Sequence, residues 1–415
     1  MKALGSLGLL YFSERSQDKS TSYENELSSA DLILLDKAVE LGKYAIASYT
    51  GRLLDVPRYS MCCCCCLRPN KCLKDRHNIR YSSYVGEPLH FGKAGRTSCQ
   101  VSYFIVRKDT EIIISVRGTE NVRDAITDCL LLPVPLAASD LGSHNSTELN
   151  CGMVHCGVLA ATSSLCDELY EKLSNIVLEY EKGVTIWLVG HSLGASCAQL
   201  ASYSLNKGIL KSRGSKIRAI GFQPMPFLDA VAVNKMNEAY PGTVISIPFG
   251  DDIVSRFSLR ALWKLQAKGL ENPSSCSLFY SCRLVGSLAL RCICKSGDQT
   301  KQTEQLKLGV KRAKHVIRNR NGRPVSTHHS PSSLPIQEES DIPALYIAGI
   351  VFLTGRLGDT DYLVTKVSHL DQNIILPCNM LVDHVPWRLL YGLSTALGYR
   401  FSSSEILAEA ELSMV

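Results

Sequence analysis

The segment Gly190-His191-Ser192-Leu193-Gly194 fits the pattern Gly-x-Ser-x-Gly, in which a serine can serve as an acyl-accepting nucleophile. In a chain of 415 residues three fixed positions of this kind match by chance in roughly one sequence in seven. The pattern alone is weak, so its surroundings must carry the reading. It directly follows the apolar run Val-Thr-Ile-Trp-Leu-Val at 184–189 and opens a stretch rich in small residues. That strand-turn-helix order is what a nucleophile elbow requires. The flanking glycines relieve crowding at a strained turn, and the hydroxyl stands at a helix N-terminus, where the dipole favours developing negative charge. The competing reading is an ordinary turn whose serine caps the helix.

A serine hydroxyl needs a base, and the base needs an acid to orient it. In a fold of this kind they follow in the order Ser, acid, His. Phe249-Gly250-Asp251-Asp252-Ile253-Val254 comes after a strand-like run at 243–248, so one of the two aspartates is a candidate acid. A solvated loop pair or a helix cap is the alternative. Five of the ten histidines follow this point. His315, His328 and His329 fall in a stretch expected to be mobile, where a base cannot be held in place. His369 and His384 remain, and periodicity does not separate them.

The elements that would position these groups read as an alternation of strands and helices. A hairpin is expected over 101–116, turning at Lys108-Asp109-Thr110, with further strands at 184–189, 217–222 and 243–248. Helical spacing marks residues 31–49, through Leu32, Leu35, Ala38, Val39 and Ala45, and again 165–180, 193–205 and 228–240. Late strands are expected within 345–353 and 362–367. The alternation implies parallel crossovers and a doubly wound sheet. The expected domains are an N-terminal helical and irregular region (1–95), an α/β domain (96–402) with an insertion at 269–343, and a tail (403–415). The insertion carries Lys307, Lys311, Arg312, Lys314, Arg318, Arg320 and Arg323 without an acid among them, which reads as solvated chain.

Composition bounds the partners. The net charge of +6 favours anionic surfaces but is too diffuse for a nucleic-acid binder. The 17 cysteines are odd in number, and five are consecutive, so they do not form a disulfide framework. The expectation is a reduced, cytosolic chain. No run reaches about 18 uncharged apolar residues, so no membrane span is expected.

The sequence resembles the class 3 (fungal-type) lipase family, and within it the sn-1-specific diacylglycerol lipases. The resemblance rests on ISVRGTENVRDAITD at 114–128, VHCG at 154–157, LVGHSLGAS at 188–196, GDDIVSR at 250–256 and DHVPWRL at 383–389. It implies an α/β-hydrolase fold, with a mostly parallel central sheet covered by helices on both faces. It further implies Ser192 as nucleophile, Asp252 as orienting acid, His384 as base, and an oxyanion hole at Thr119 and Leu193. His155 and His191 are then expected to be structural. Ser255 stands where the family usually has proline, and Ser196 where glycine is common; both are expected to lie off the chemistry. The diacylglycerol lipase subgroup carries transmembrane helices before its catalytic domain, so this chain reads as a shortened form.

The expected activity is hydrolysis of a glycerolipid acyl ester, diacylglycerol to monoacylglycerol and fatty acid. The alternatives are a phospholipase A1 or acyl-protein thioesterase with the same triad, or an inactive lipid-binding scaffold. No cofactor is needed for these steps; the resemblance implies calcium stimulation, but no calcium site is legible and no metal ligand is assigned. The run Cys62, Cys63, Cys64, Cys65 and Cys66, flanked by Arg58, Arg68, Lys71 and Lys74, is a candidate lipid anchor by S-acylation. With the basic insertion facing anionic lipid, it suggests a peripheral protein on the cytoplasmic side of a membrane. The apolar run Leu130-Leu131-Leu132-Pro133-Val134-Pro135-Leu136 opens a segment (129–150) that reads equally as a flap over an acyl groove or as a surface loop.

Overall fold

The computed structural model describes residues 27–49, 87–92, 99–119, 131–137, 151–181, 183–206, 208–261, 264, 342–356, 362–370 and 383–398. The Cys62–Cys66 run, the basic stretch 307–323, all but the last two residues of the 269–343 insertion, and the tail lie outside them.

The described residues form ten strands and six α-helices. In chain order they are α1 (Ser29–Ala47), β1 (Glu87–Gly92), β2 (Tyr103–Lys108), β3 (Glu111–Val116), β4 (Pro133–Pro135) and β5 (Met153–His155). Then follow α2 (Cys156–Leu178), β6 (Thr185–His191), α3 (Leu193–Leu205), α4 (Gly208–Ser212), β7 (Lys216–Phe222) and α5 (Ala230–Ala239). The last are β8 (Val244–Ile247), β9 (Ile350–Arg356), β10 (Tyr362–Val367) and α6 (Pro386–Ala396). Eight strands form one sheet in the order β1-β2-β3-β6-β7-β8-β9-β10. The run from β3 to β9 is parallel; β2 and then β1 extend one end and β10 the other, each antiparallel to its neighbour.

The strand order never reverses, so the sheet is not doubly wound as expected; its crossovers all step in one direction. Because such crossovers are almost always right-handed, α2, α3 and α5 fall on the same face. That face holds the larger core, in which Ile112, Ile114, Ile186 and Leu188 meet Leu165, Leu169, Ala198 and Met236. The alternate residues Ile113, Trp187 and Val189 point the other way. They are covered by α1 and α6, the first and last described helices, through Leu35, Leu41, Leu389 and Leu393. Both α1 and β1 come from the 1–95 stretch expected as a separate region, and here both are built onto the sheet.

Helix α1 starts at a capping box: Ser28 Oγ accepts from Asp31 N at 3.2 Å, and Asp31 Oδ2 accepts from Ser28 N at 3.1 Å. Leu32, expected on the buried side, is 41% exposed. Helix α2 begins earlier than its periodic stripe, because His155 caps it by accepting from Val158 N at 3.2 Å. Of the segment 129–150, residues 129–130 and 138–150 lie outside the described residues, and 131–137 are built into the fold. They pair as β4 with β5, and Val134 and Leu136 are buried in the larger core. No helix among the described residues is long and apolar enough to cross a membrane.

Candidate active site

The central strand β6 leads directly into Ser192, whose backbone takes φ +60°, ψ −132°. A non-glycine residue there is strained by about 1–3 kcal/mol. The neighbouring backbone holds it in place: Ser192 N donates to Phe222 O at 3.0 Å, and Ser192 O accepts from Ala195 N at 3.0 Å. The two motif glycines are needed for close approach. A Cβ on Gly190 would lie 2.4 Å from Gly194 O, and one on Gly194 would lie 2.3 Å from Val116 O. Helix α3 therefore starts pressed against its own strand and the end of β3. Ser192 forms no side-chain capping bond with α3, so the helix-cap reading fails. Its Oγ lies 2.9 Å from His384 Nε2 instead.

The candidate acids follow β8. Of the two candidates, Asp252 is fully buried, while Asp251 is partly exposed and turns its N–H toward Asp383 Oδ2 at 3.3 Å. His384 Nδ1 lies 3.0 Å from Asp252 Oδ1 and 3.1 Å from Oδ2. Three further donors reach the same carboxylate: Val254 N at 2.9 Å, Ser255 Oγ at 2.8 Å and Gln223 Nε2 at 3.2 Å. Burial pushes the Asp252 carboxyl up, but His384, Ser255 and the Val254 N–H outweigh it and hold the group below the usual aspartate value. Ser255, expected to lie off the chemistry, is thus a ligand of the acid; a proline could not supply that hydroxyl. Ser196 does lie off it, donating to Met225 O at 3.0 Å. Arg256 ties the loop down through Asp252 O at 2.9 Å and Gly250 O at 3.0 Å.

His384, one candidate base, sits on the turn before α6, and His369, the other candidate, is exposed on a bend after β10. The His384 turn is held from three sides. Its neighbour Asp383 is 2% exposed and pairs with Arg356 at 2.9 Å, with Arg388 at 3.7 Å. Burial raises the Asp383 carboxyl, and the two arginines only partly oppose it. The main chain of the turn receives Gln223 Nε2 at Asp383 O and His191 Nε2 at His384 O, the latter at 3.0 Å. His191 is structural, as expected, but it does not stand apart from the base. Its ring lies 4.6 Å from that of His384, centroid to centroid. Burial and the neighbouring His384 hold it down at about 3, so it is neutral.

Of the two residues expected for the oxyanion hole, Leu193 is the first of α3, where an N–H has no intrahelical acceptor. Thr119 follows Gly118, at which a Cβ would lie 3.1 Å from Ser192 Cβ. The Arg117-Gly118-Thr119 turn thus abuts the elbow.

Tyr49, Gln223 and Arg356 do not stand out in the sequence, while Ser255, Arg256, Asp383 and Arg388 lie inside the quoted motifs without a role assigned to them. Gln223 carries one usable signal: it directly follows β7, at the carboxyl edge of the sheet, where sites of this architecture collect. No group of three or more His, Cys, Asp or Glu side chains among the described residues is arranged to hold a metal ion. The arrangement can take a proton from Ser192 and stabilise the resulting imidazolium against a buried carboxylate.

Residues 113–261 match the sequence model of the family described as Lipase (class 3). The phospholipase A(1) DAD1, chloroplastic, of Arabidopsis thaliana is 26% identical over 213 residues. That stretch covers 45% of each protein, so the chain spans under half the length of this curated relative. Among solved structures, the Lip2 lipase from Yarrowia lipolytica aligns at TM-score 0.40 and 18% identity, over 55% of this chain and 74% of that one. The Rhizomucor miehei lipase propeptide complex aligns at TM-score 0.46 and 12% identity, over 89% of both chains.

Proposed function

We propose that this member of the class 3 lipase family is a lipolytic serine hydrolase that cleaves an acyl ester of diacylglycerol to give monoacylglycerol and a fatty acid. The observation that supports the reaction type is the unbroken chain Ser192 Oγ, His384 imidazole, Asp252 carboxylate. Resemblance of the five motifs at 114–128, 154–157, 188–196, 250–256 and 383–389 to the sn-1-specific diacylglycerol lipases supports the substrate.

His384 Nε2 takes the Ser192 proton as Oγ adds to the ester carbonyl carbon. The N–H groups of Thr119 and Leu193 receive the oxyanion, each contributing roughly 3–4 kcal/mol. Collapse breaks the bond to the glyceride oxygen, which leaves with the proton held on Nε2, and the acyl group stays on Ser192. Water, deprotonated by the same nitrogen, then releases the fatty acid. The substrate is insoluble, so the reaction belongs at a membrane surface. Acylation of Cys62–Cys66 and attraction of 307–323 to anionic lipid are the proposed means of reaching it.

The similarity to a phospholipase A(1) favours a second reading, hydrolysis of a phospholipid by the same groups. A side-by-side assay of vesicle-embedded diacylglycerol, triacylglycerol and phosphatidylcholine separates them. Diacylglycerol hydrolysed at least tenfold faster than phosphatidylcholine supports the first reading, and the reverse order overturns it.

A further inference from the structure

The turn that follows α1 reaches the site. Tyr49 is 3% exposed, and its hydroxyl lies 2.6 Å from His191 Nδ1. The same hydroxyl stands where a Cβ on Gly118 would come within 2.3 Å, so it also touches the turn before Thr119. From Tyr49 a line of side chains runs to the acid: His191 Nε2 to Gln223 Oε1 at 3.1 Å, then Gln223 Nε2 to Asp252 Oδ2 at 3.2 Å.

The direction of every hydrogen bond in that line is set by its charged end. The Asp252 carboxylate and the Asp383 carbonyl accept only, so the nitrogen of the Gln223 amide must face them. Its oxygen then faces His191, whose Nε2 also faces the His384 carbonyl. With two acceptors before it, Nε2 carries the proton. The ring is neutral, so Nδ1 holds a lone pair, and the Tyr49 hydroxyl must donate to it. Reversing any one bond sets oxygen against oxygen, or N–H against N–H, inside a closed site, and each such orphan is penalised.

We propose that Tyr49 is a positioning residue for the base: by donating to the His191 Nδ1 lone pair it holds the ring where its Nε2–H reaches the His384 carbonyl and Gln223 Oε1. Without the hydroxyl, the Nδ1 lone pair loses its donor and the ring loses its anchor on that side. The ring then shifts and loosens its Nε2–H from the His384 carbonyl and Gln223 Oε1. The proposal rests on the hydrolase reading for its kinetic consequence only.

The test is a cycle of Tyr49→Phe and His191→Gln. A glutamine amide at position 191 keeps a donor at the Nε2 place but offers Tyr49 no ring acceptor. Tyr49→Phe is expected to lower kcat about tenfold, the equivalent of one net hydrogen bond, with KM within twofold. In the His191→Gln background the same change is expected to be silent. Nitrogen-15 imidazole NMR reads the ring irrespective of turnover: protonation at Nε2 with a bare Nδ1 in the wild type, and a displaced Nδ1 resonance in Tyr49→Phe. The proposal is overturned by a wild-type His191 protonated at Nδ1, by a Tyr49→Phe kcat within twofold of wild type, or by equal losses in both backgrounds. Wild-type protein with no Ser192-dependent hydrolysis but the expected tautomer would count against the hydrolase reading and leave the positioning intact.

Discussion

Replacing Asp252 by asparagine keeps the size of the side chain and removes its charge, and the surroundings set the cost. Every hydrogen bond to this group runs inward, from Val254 N at Oδ1, from Ser255 and Gln223 at Oδ2, and from His384 Nδ1 within reach of both oxygens. An amide nitrogen at the Oδ2 position meets Gln223 and His384 as donor against donor. At the Oδ1 position it meets the Val254 N–H, which cannot rotate away. Either orientation leaves a buried donor unpaired, at about 1–3 kcal/mol of stability. The kinetic effect is larger. With the nitrogen toward His384, the ring is driven to carry its proton on Nε2, facing Ser192, where it cannot act as base. Losing the correct tautomer lowers kcat by roughly 10⁴-fold, or about 5.5 kcal/mol of barrier. Hydrolysis of a soluble fluorogenic ester, normalised to folded protein by circular dichroism, measures this. A kcat within tenfold of wild type would refute the assignment of Asp252 as the orienting acid.

Acid should destabilise the protein early. His191 is held neutral in the fold at about 3 but takes a proton near 6.5 once unfolded, so the unfolded state binds more protons between those values. Stability therefore falls as pH drops from about 6.5 toward 3, by up to roughly 5 kcal/mol over the window. Asp252, lowered in the fold, loses its contribution at still lower pH. Denaturant midpoints at pH 7, 6, 5 and 4 check the sign; a midpoint unchanged from 7 to 4 contradicts it. Gly194→Ala should lower stability by about 1–3 kcal/mol and reduce turnover further, because its methyl meets Val116 O and moves the elbow; thermal melts and kcat measure both. Ser255→Ala removes one donor from the buried acid and should reduce stability by about 1.5–3 kcal/mol, as for hydrogen bonds to charged groups, with kcat falling only a few-fold while His384 stays paired; a loss as large as that of Asp252→Asn would mean that Ser255 does more than support the carboxylate.

The elbow is legible in the sequence because its signals are local. An unbroken apolar run, two glycines and a small-residue helix lie within 25 residues, and the glycines matter for contacts inside that span. The choice of base is not local. Nothing in the composition around His369 and His384 distinguishes a bend in solvent from a turn clamped by Asp383, Arg356 and Gln223, and only resemblance favours His384. Ser255 escapes a reading that treats a departure from the usual proline as neutral, whereas its hydroxyl faces the acid three residues before it. Helix α6 is not legible beyond its motif, and β4 is hidden because three residues with two prolines carry no strand periodicity. The contribution of α1 is hidden for a simpler reason. The polar atom that reaches the site belongs to the residue that ends the segment, 142 positions before its partner.

The central claim is that Ser192 is an activated nucleophile, and covalent capture tests it most directly. A fluorophosphonate probe applied to folded protein, followed by peptide mass spectrometry, should place one adduct on Ser192, with labelling abolished in Ser192→Ala of unchanged thermal stability. Labelling that persists undiminished in Ser192→Ala, or folded wild type that takes up no probe, would contradict the account.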